Sequence, residues 1–285
     1  MTTPERPATV CEAFQRTASI DPGAVALRTP GDTQTLTWRE LAEQVRKVAA
    51  GLAGLGVRRG DTVSLMMANR IEFYPLEIGA QHVGATSFSV YNTLPAEQLT
   101  YLFGNAGTKV AICEEQYVDR IRASGADIEH IVCIDGSRPG TISVDELYAA
   151  APADFDFEST WRAVRPDDVA TLIYTSGTTG NPKGVEMTHT NLLFELFALY
   201  TVLPVGFGER VTSFLPSAHI ADRVMALYGL EVFGSRVTVN SIAALSFSHT
   251  RGTAPHTVGR ASGSAAAMAF TSEITVTREP NTSSP

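Results

Sequence analysis

The sequence predicts an α/β fold built on a mainly parallel sheet. Between Thr62 and Tyr174, short apolar runs alternate at least four times with stretches of helical periodicity. The runs are continuous rather than alternately apolar and polar, as expected of strands covered on both faces by crossover helices. A loop rich in glycine and hydroxyl side chains follows the last run directly. Ligand-binding loops of open α/β sheets sit at such carboxyl ends of strands.

Leu36-Thr37-Trp38-Arg39-Glu40-Leu41 opens a helix. Thr37 is its N-cap candidate, and Glu40, three residues on, completes a capping box. Leu41, Val45, Val48, Leu52 and Leu55 follow at helical spacing, and Gly54 and Gly56 can end the helix. Gly60-Asp61 makes a turn, and Thr62 to Met67 reads as a buried strand. A helix is expected over Glu72 to Val83, a strand over Ala85 to Val90, and a helix over Pro95 to Phe103. Lys109 to Cys113 reads as a strand, Gln116 to Ala123 as a helix, Ile131 to Ile134 as a strand and Val144 to Ala150 as a short helix. The acidic, Trp161-containing stretch Phe155 to Asp168 reads as a surface connection. Asp167-Asp168 reads as solvated charge, with no further ligand nearby to suggest a metal. Val169 to Tyr174 is the strand before the glycine-rich loop, and Leu192 to Leu203 an apolar helix after it.

The chain of 285 residues accommodates one large domain or two small ones, and its 44% apolar and 18% charged residues are those of a globular protein. A net charge of −8 argues against nucleic acid as the main partner. Cys11, Cys113 and Cys133 have no metal-ligand or C-x-x-C spacing, so they read as buried packing in a reducing, cytoplasmic setting. The N-terminus lacks the apolar core of a signal peptide, and no run is long enough to span a bilayer. Peripheral membrane contact stays open.

The chemistry concentrates in Thr175-Ser176-Gly177-Thr178-Thr179-Gly180-Asn181-Pro182-Lys183-Gly184. Glycine lets backbone N–H groups approach an anion without an intervening Cβ. Hydroxyls add donors, and lysine adds a mobile positive charge. Together they suit a polyphosphate. The run is not a Walker A motif, because Lys183 follows Pro182 and precedes Gly184. Taken alone, the residues also allow a non-catalytic module that holds a nucleotide or a partner subunit.

The run closely resembles the T-S-G-T-T-G-x-P-K-G signature of the adenylate-forming (AMP-dependent synthetase/ligase) family, which includes acyl-CoA synthetases, luciferases and peptide-synthetase adenylation domains. The segment Ser213-Phe214-Leu215-Pro216-Ser217-Ala218-His219-Ile220-Ala221-Asp222-Arg223 is similar to the L-P-x-x-H segment of long-chain fatty-acid–CoA ligases. The resemblance implies ATP-dependent activation of a fatty, long-chain carboxylic acid to acyl-AMP and then acyl-CoA. ATP, Mg²⁺ and coenzyme A would take part. By the same resemblance, Thr175, Ser176, Gly177, Thr178, Thr179, Gly180 and Lys183 would hold phosphate, and His219 would lie beside the reacting carboxylate.

The resemblance runs from about Thr9 to Val239. Two regions are therefore expected: residues 1–239, the N-terminal part of an AMP-binding domain, and residues 240–285, an unrelated low-complexity tail. The tail has no Lys or Asp, and its acids are only Glu273 and Glu279. It reads as disordered, or as translated from a shifted frame. The family's later motifs, including the carboxylate that holds Mg²⁺, are not in this sequence. The expectation is a partial copy that does not turn over alone.

Overall fold

The computed structural model describes residues 6–175, 181–203 and 206–240. The glycine-rich stretch 176–180 and the expected tail from residue 241 onward lie outside the described residues.

Two sheets share one helical layer. After α1 (Val10–Ile20) come β1 (Val25–Arg28) and β2 (Thr35–Thr37), then α2 (Trp38–Gly54). A run of alternating elements follows: β3 (Thr62–Met66), α3 (Phe73–His82), β4 (Thr86–Ser89), α4 (Ala96–Ala106), β5 (Thr108–Cys113), α5 (Glu115–Ala123) and β6 (His130–Cys133). Next are β7 (Ile142–Ser143), α6 (Val144–Ala149), α7 (Phe157–Arg162), β8 (Val169–Thr175), β9 (Lys183–Thr188) and α8 (His189–Val202). β10 (Arg210–Ser213), a helical segment over 220–233 and β11 (Arg236–Val239) complete the described chain. The large sheet has the order β7-β6-β5-β3-β4-β8-β9, parallel throughout except for β9, which runs antiparallel to β8. The small sheet has the order β10-β11-β1-β2.

The central strands β3, β4 and β5 are almost wholly buried, as their apolar runs predict, whereas β9 at the edge has no buried residue. On β5, Val110 and Ile112 join the core that also contains α1, α2 and α3, while Ala111 and Cys113 join a second core with α4 and α5. The first core also takes in Leu27 and Val237 of the small sheet. All three cysteines are free and buried. Among the described residues, no helix is long and apolar enough to cross a membrane.

α2 starts as its sequence predicts. Thr37 Oγ1 accepts from Glu40 N at 3.3 Å, and Glu40 Oε2 accepts from Thr37 N at 2.8 Å. The helix also stops at the expected glycines: Gly54 is its last residue, and Gly56 follows in the left-handed conformation at φ 83°. Gly54 and Gly51 are contact glycines. A Cβ on Gly51 would stand 2.2 Å from Leu147 O in α6, and one on Gly54 1.9 Å from Ala150 O.

The stretch expected as a surface connection forms α7 instead. Phe157 and Trp161 lie one turn apart and are buried against α3, where the Phe157 ring stacks on His82 with centroids 5.6 Å apart. Asp168 is likewise more than a solvated charge. Arg59 Nε and Nη2 donate to its two oxygens at 2.6 and 2.5 Å, and Arg165 N donates at 2.8 Å. Burial works to raise this carboxyl, but these bonds outweigh it and hold the group below the usual range.

Candidate functional site

Sequence order places an apolar helix next after the glycine-rich loop. The structure inserts β9 first, so the loop joins two antiparallel strands. Thr175, the last residue of β8, pairs across the hairpin with Lys183, the first residue of β9. Both are exposed at the mouth of the hairpin, at the carboxyl end of β8. Two of the expected phosphate ligands are thus brought face to face. Ser176, Gly177, Thr178, Thr179 and Gly180 fall outside the described residues.

The hairpin is anchored one pair further in. Tyr174 pairs with Gly184, and a Cβ on Gly184 would sit 3.1 Å from Cζ of the Tyr174 ring. Glycine therefore lets the ring lie flat over the neighbouring strand. Tyr174 Oη donates to Asn105 Oδ1 of α4 at 2.9 Å, and its ring packs on Phe88 of β4 with centroids 5.5 Å apart. α8 then starts from a capping box between Thr188 and Asn191. His189, at its first position, is buried, and its Nδ1 accepts from Val10 N at 3.3 Å. It ties α1 to α8 and has a packing role.

His219 lies on a turn between β10 and the helical segment. Its Nδ1 accepts from Ala221 N at 3.2 Å, which leaves the proton of the neutral ring on Nε2. The side chain is exposed. Among the described residues, no hydrogen bond joins it to Thr175 or Lys183. The turn itself is held firmly. The Asp222 carboxylate accepts from Ser213 Oγ at 2.8 Å, Phe214 N at 3.1 Å and Leu215 N at 3.2 Å. Burial pushes Asp222 above the usual range, and these bonds only partly offset it. Asn69, just after β3, donates to Leu215 O at 2.6 Å and Ser213 Oγ at 3.2 Å.

A cleft of about 420 Å³ opens beside this turn, bordered by Asn69, Val90, Tyr91, Tyr117, Pro216 and Ala218. It lies at the carboxyl ends of β3 and β4, on the same edge of the sheet as the hairpin mouth. Sequence reasoning missed Asn69, Asp222 and the buried Arg223 as parts of the site. A usable signal was present for the last two: an Asp-Arg pair leading directly into the apolar run Val224-Met225-Ala226-Leu227-Tyr228.

This geometry, with the mouth of a glycine-rich hairpin and a histidine turn on one edge of a parallel sheet, coincides with a family match over residues 14–251 to the AMP-binding enzymes. The chain belongs to the AMP-binding enzyme family. The match passes Val239, where the motif resemblance ends. The long-chain-fatty-acid–CoA ligase FadD15 of Mycobacterium bovis is 36% identical over 212 residues, covering 72% of this chain and 34% of that one. The putative fatty-acid–CoA ligase FadD11 of Mycobacterium tuberculosis is 71% identical over 101 residues, 35% of this chain and 18% of that one. The N-terminal domain of FACL13 from Mycobacterium tuberculosis superimposes with a TM-score of 0.70 at 25% identity, covering 81% of this chain and 57% of that one. This AMP-binding chain thus spans about a third of FadD15 and under three fifths of the FACL13 structure.

Proposed function

We propose that this chain takes part in ATP-dependent activation of a fatty acid, with long-chain acids as the preferred class. The observation that carries the reading is the Thr175–Lys183 pair at the hairpin mouth, which flanks a run of hydroxyl and glycine residues suited to phosphate. In the first step a carboxylate oxygen attacks the α-phosphorus of ATP and pyrophosphate leaves. In the second, the thiol sulfur of coenzyme A attacks the acyl carbon and AMP leaves. The substrate supplies the nucleophile, so the protein's work is placement and charge stabilisation.

Backbone N–H and hydroxyl groups of Ser176, Gly177, Thr178, Thr179 and Gly180 would hold the β- and γ-phosphates, and Lys183 would offset charge on departing pyrophosphate. His219 would donate its Nε2 proton to the acid's carboxylate and orient it. The cleft beside Pro216 would receive an organic substrate next to that histidine. Among the described residues, no group of three or more carboxylate, His or Cys side chains could hold a metal ion, so these residues do not form a Mg²⁺ site.

Because the chain is not expected to turn over alone, the test is binding: displacement of a fluorescent long-chain fatty acid from the full chain, with ATP present, by short, medium or long saturated fatty acids. Displacement that strengthens with acyl length is expected. Displacement that is independent of acyl length, or no binding of the fluorescent acid, contradicts the reading.

A further inference from the structure

We infer that Arg223 is a positioning residue of the acid-activation site, fixing the turn that carries His219 against the strand that carries the phosphate loop. The inference rests on the function proposed above and deepens it. Arg223 is almost wholly buried, with a side chain 2% exposed, and its ion-pair partner Glu77 of α3 is 0% exposed. Its Nη2 reaches Glu77 Oε1, Thr171 Oγ1 of β8 at 2.9 Å and Tyr228 Oη at 2.9 Å. Its Nη1 donates to Ser89 Oγ at the end of β4 at 2.9 Å. One guanidinium therefore joins α3, β4 and β8 to its own helical segment.

The contacts interlock with the sheet. Thr171 Oγ1 donates to Ser87 O at 2.7 Å, and Ser87 Oγ donates to Glu77 Oε1 at 2.7 Å. Ser87 and Thr171 are the residues that pair β4 with β8. In one direction, β8 continues from Thr171 to Thr175 at the mouth of the phosphate hairpin. In the other, Arg223 N donates back to His219 O at 3.3 Å, and its neighbour Asp222 holds the amides of Phe214 and Leu215. The fork also opens a π-helical stretch, Arg223–Tyr228, a geometry that recurs at functional sites.

Stability alone does not account for this arrangement. A buried ion pair can often be replaced by well-packed apolar residues at no loss. What apolar residues cannot supply is direction, which the planar guanidinium fork imposes on every group it bonds. The two halves it aligns are those that must meet when a carboxylate approaches the α-phosphorus.

The experiment uses the full chain as wild type, Glu77→Met/Arg223→Met and Arg223→Lys. Each is titrated with ATP and with dodecanoyl sulfamoyl-adenosine, a stable mimic of an acyl-adenylate whose sulfamoyl group stands in for the α-phosphate and which joins that position to the acid subsite. The double variant should melt within a few degrees of wild type and bind ATP as wild type does. It should bind the mimic roughly tenfold or more weakly, since small misplacements are costly in such sites. Arg223→Lys should fall between, and it carries the same comparison if the double variant does not fold. Equal binding of both ligands by folded variants and wild type overturns the inference, as does parallel loss of both. A wild type that binds neither ligand refutes the proposed function. The positioning claim is then decided by ¹⁵N-histidine NMR. Loss of the Nε2–H tautomer of His219 in the variants supports it, and an unchanged His219 spectrum overturns it.

Discussion

Acid should unfold this protein partly through two buried histidines, and the size of that effect can be worked from their surroundings. His82 is enclosed by Phe14 edge-on and Phe157 face-on, with ring centroids 5.4 and 5.6 Å away. Its Nδ1–H donates to Ile78 O at 2.8 Å, and its Nε2 accepts from Gln15 Nε2 at 3.1 Å, so the neutral ring is fully satisfied. Burial lowers its pKa from 6.5 to about 4, and burial lowers that of His189 from 6.5 to about 4 as well. Both folded values lie below the unfolded one. In that window the unfolded chain binds the extra protons. The stability due to the neutral rings is therefore complete above about pH 6.5 and is lost as pH falls towards about 4. At roughly 1.4 kcal/mol per pH unit, each ring costs about 2 kcal/mol by about pH 5. Together they remove a large part of a typical native stability of about 5–15 kcal/mol. Glu231 works the other way, because burial pushes it well above its ordinary value and acid relieves that cost. The wild-type slope alone is therefore not diagnostic. The assay is urea unfolding at about pH 7 and about pH 5 for wild type and for His82→Phe/His189→Asn. The variant should lose less stability on acidification by about 4 kcal/mol. An acid response matching wild type within about 1 kcal/mol refutes the reasoning.

Three further outcomes are expected. Gly51→Ala forces a Cβ against Leu147 O, so α2 and α6 must part, and chemical denaturation should show a loss of about 1–3 kcal/mol or more. Thr37→Ala removes the cap of α2 and should cost about 1 kcal/mol in the same measurement, with little change at the opposite edge of the sheet. Asp222→Asn leaves the Phe214 and Leu215 amides with one acceptor oxygen in place of a charged group, which should speed hydrogen exchange at those two amides while the β5 amides keep their protection.

The parts of this fold that were legible in sequence are those held by local chemistry. The Thr37–Glu40 box, the alternation from β3 to β6 and the strand before the glycine-rich loop each declare themselves within a few residues. The small sheet does not, because β1 is paired with β11 at Leu27↔Val237 and no local window contains both. α7 hid inside an acidic stretch, although Phe157 and Trp161 stand at helical spacing. β9 carried a short alternation at Val185 and Met187, obscured by the Pro-Lys-Gly preceding it. At the candidate site, motif wording proposes Thr175, Lys183 and His219. It does not propose the Arg223–Glu77 pair, since its partners are 146 residues apart and each looks misplaced in its own apolar segment. Only the fold explains why a charge belongs there.

The most direct measurement is calorimetric titration of the full chain with ATP, run in parallel on wild type and Lys183→Ala. Wild type should bind saturably and the variant with an affinity lower by roughly tenfold or more, as expected on removing one charge-assisted phosphate contact. Wild-type binding that Lys183→Ala leaves unchanged, or no binding by a cooperatively folded wild type, would contradict a phosphate site at the mouth of this hairpin.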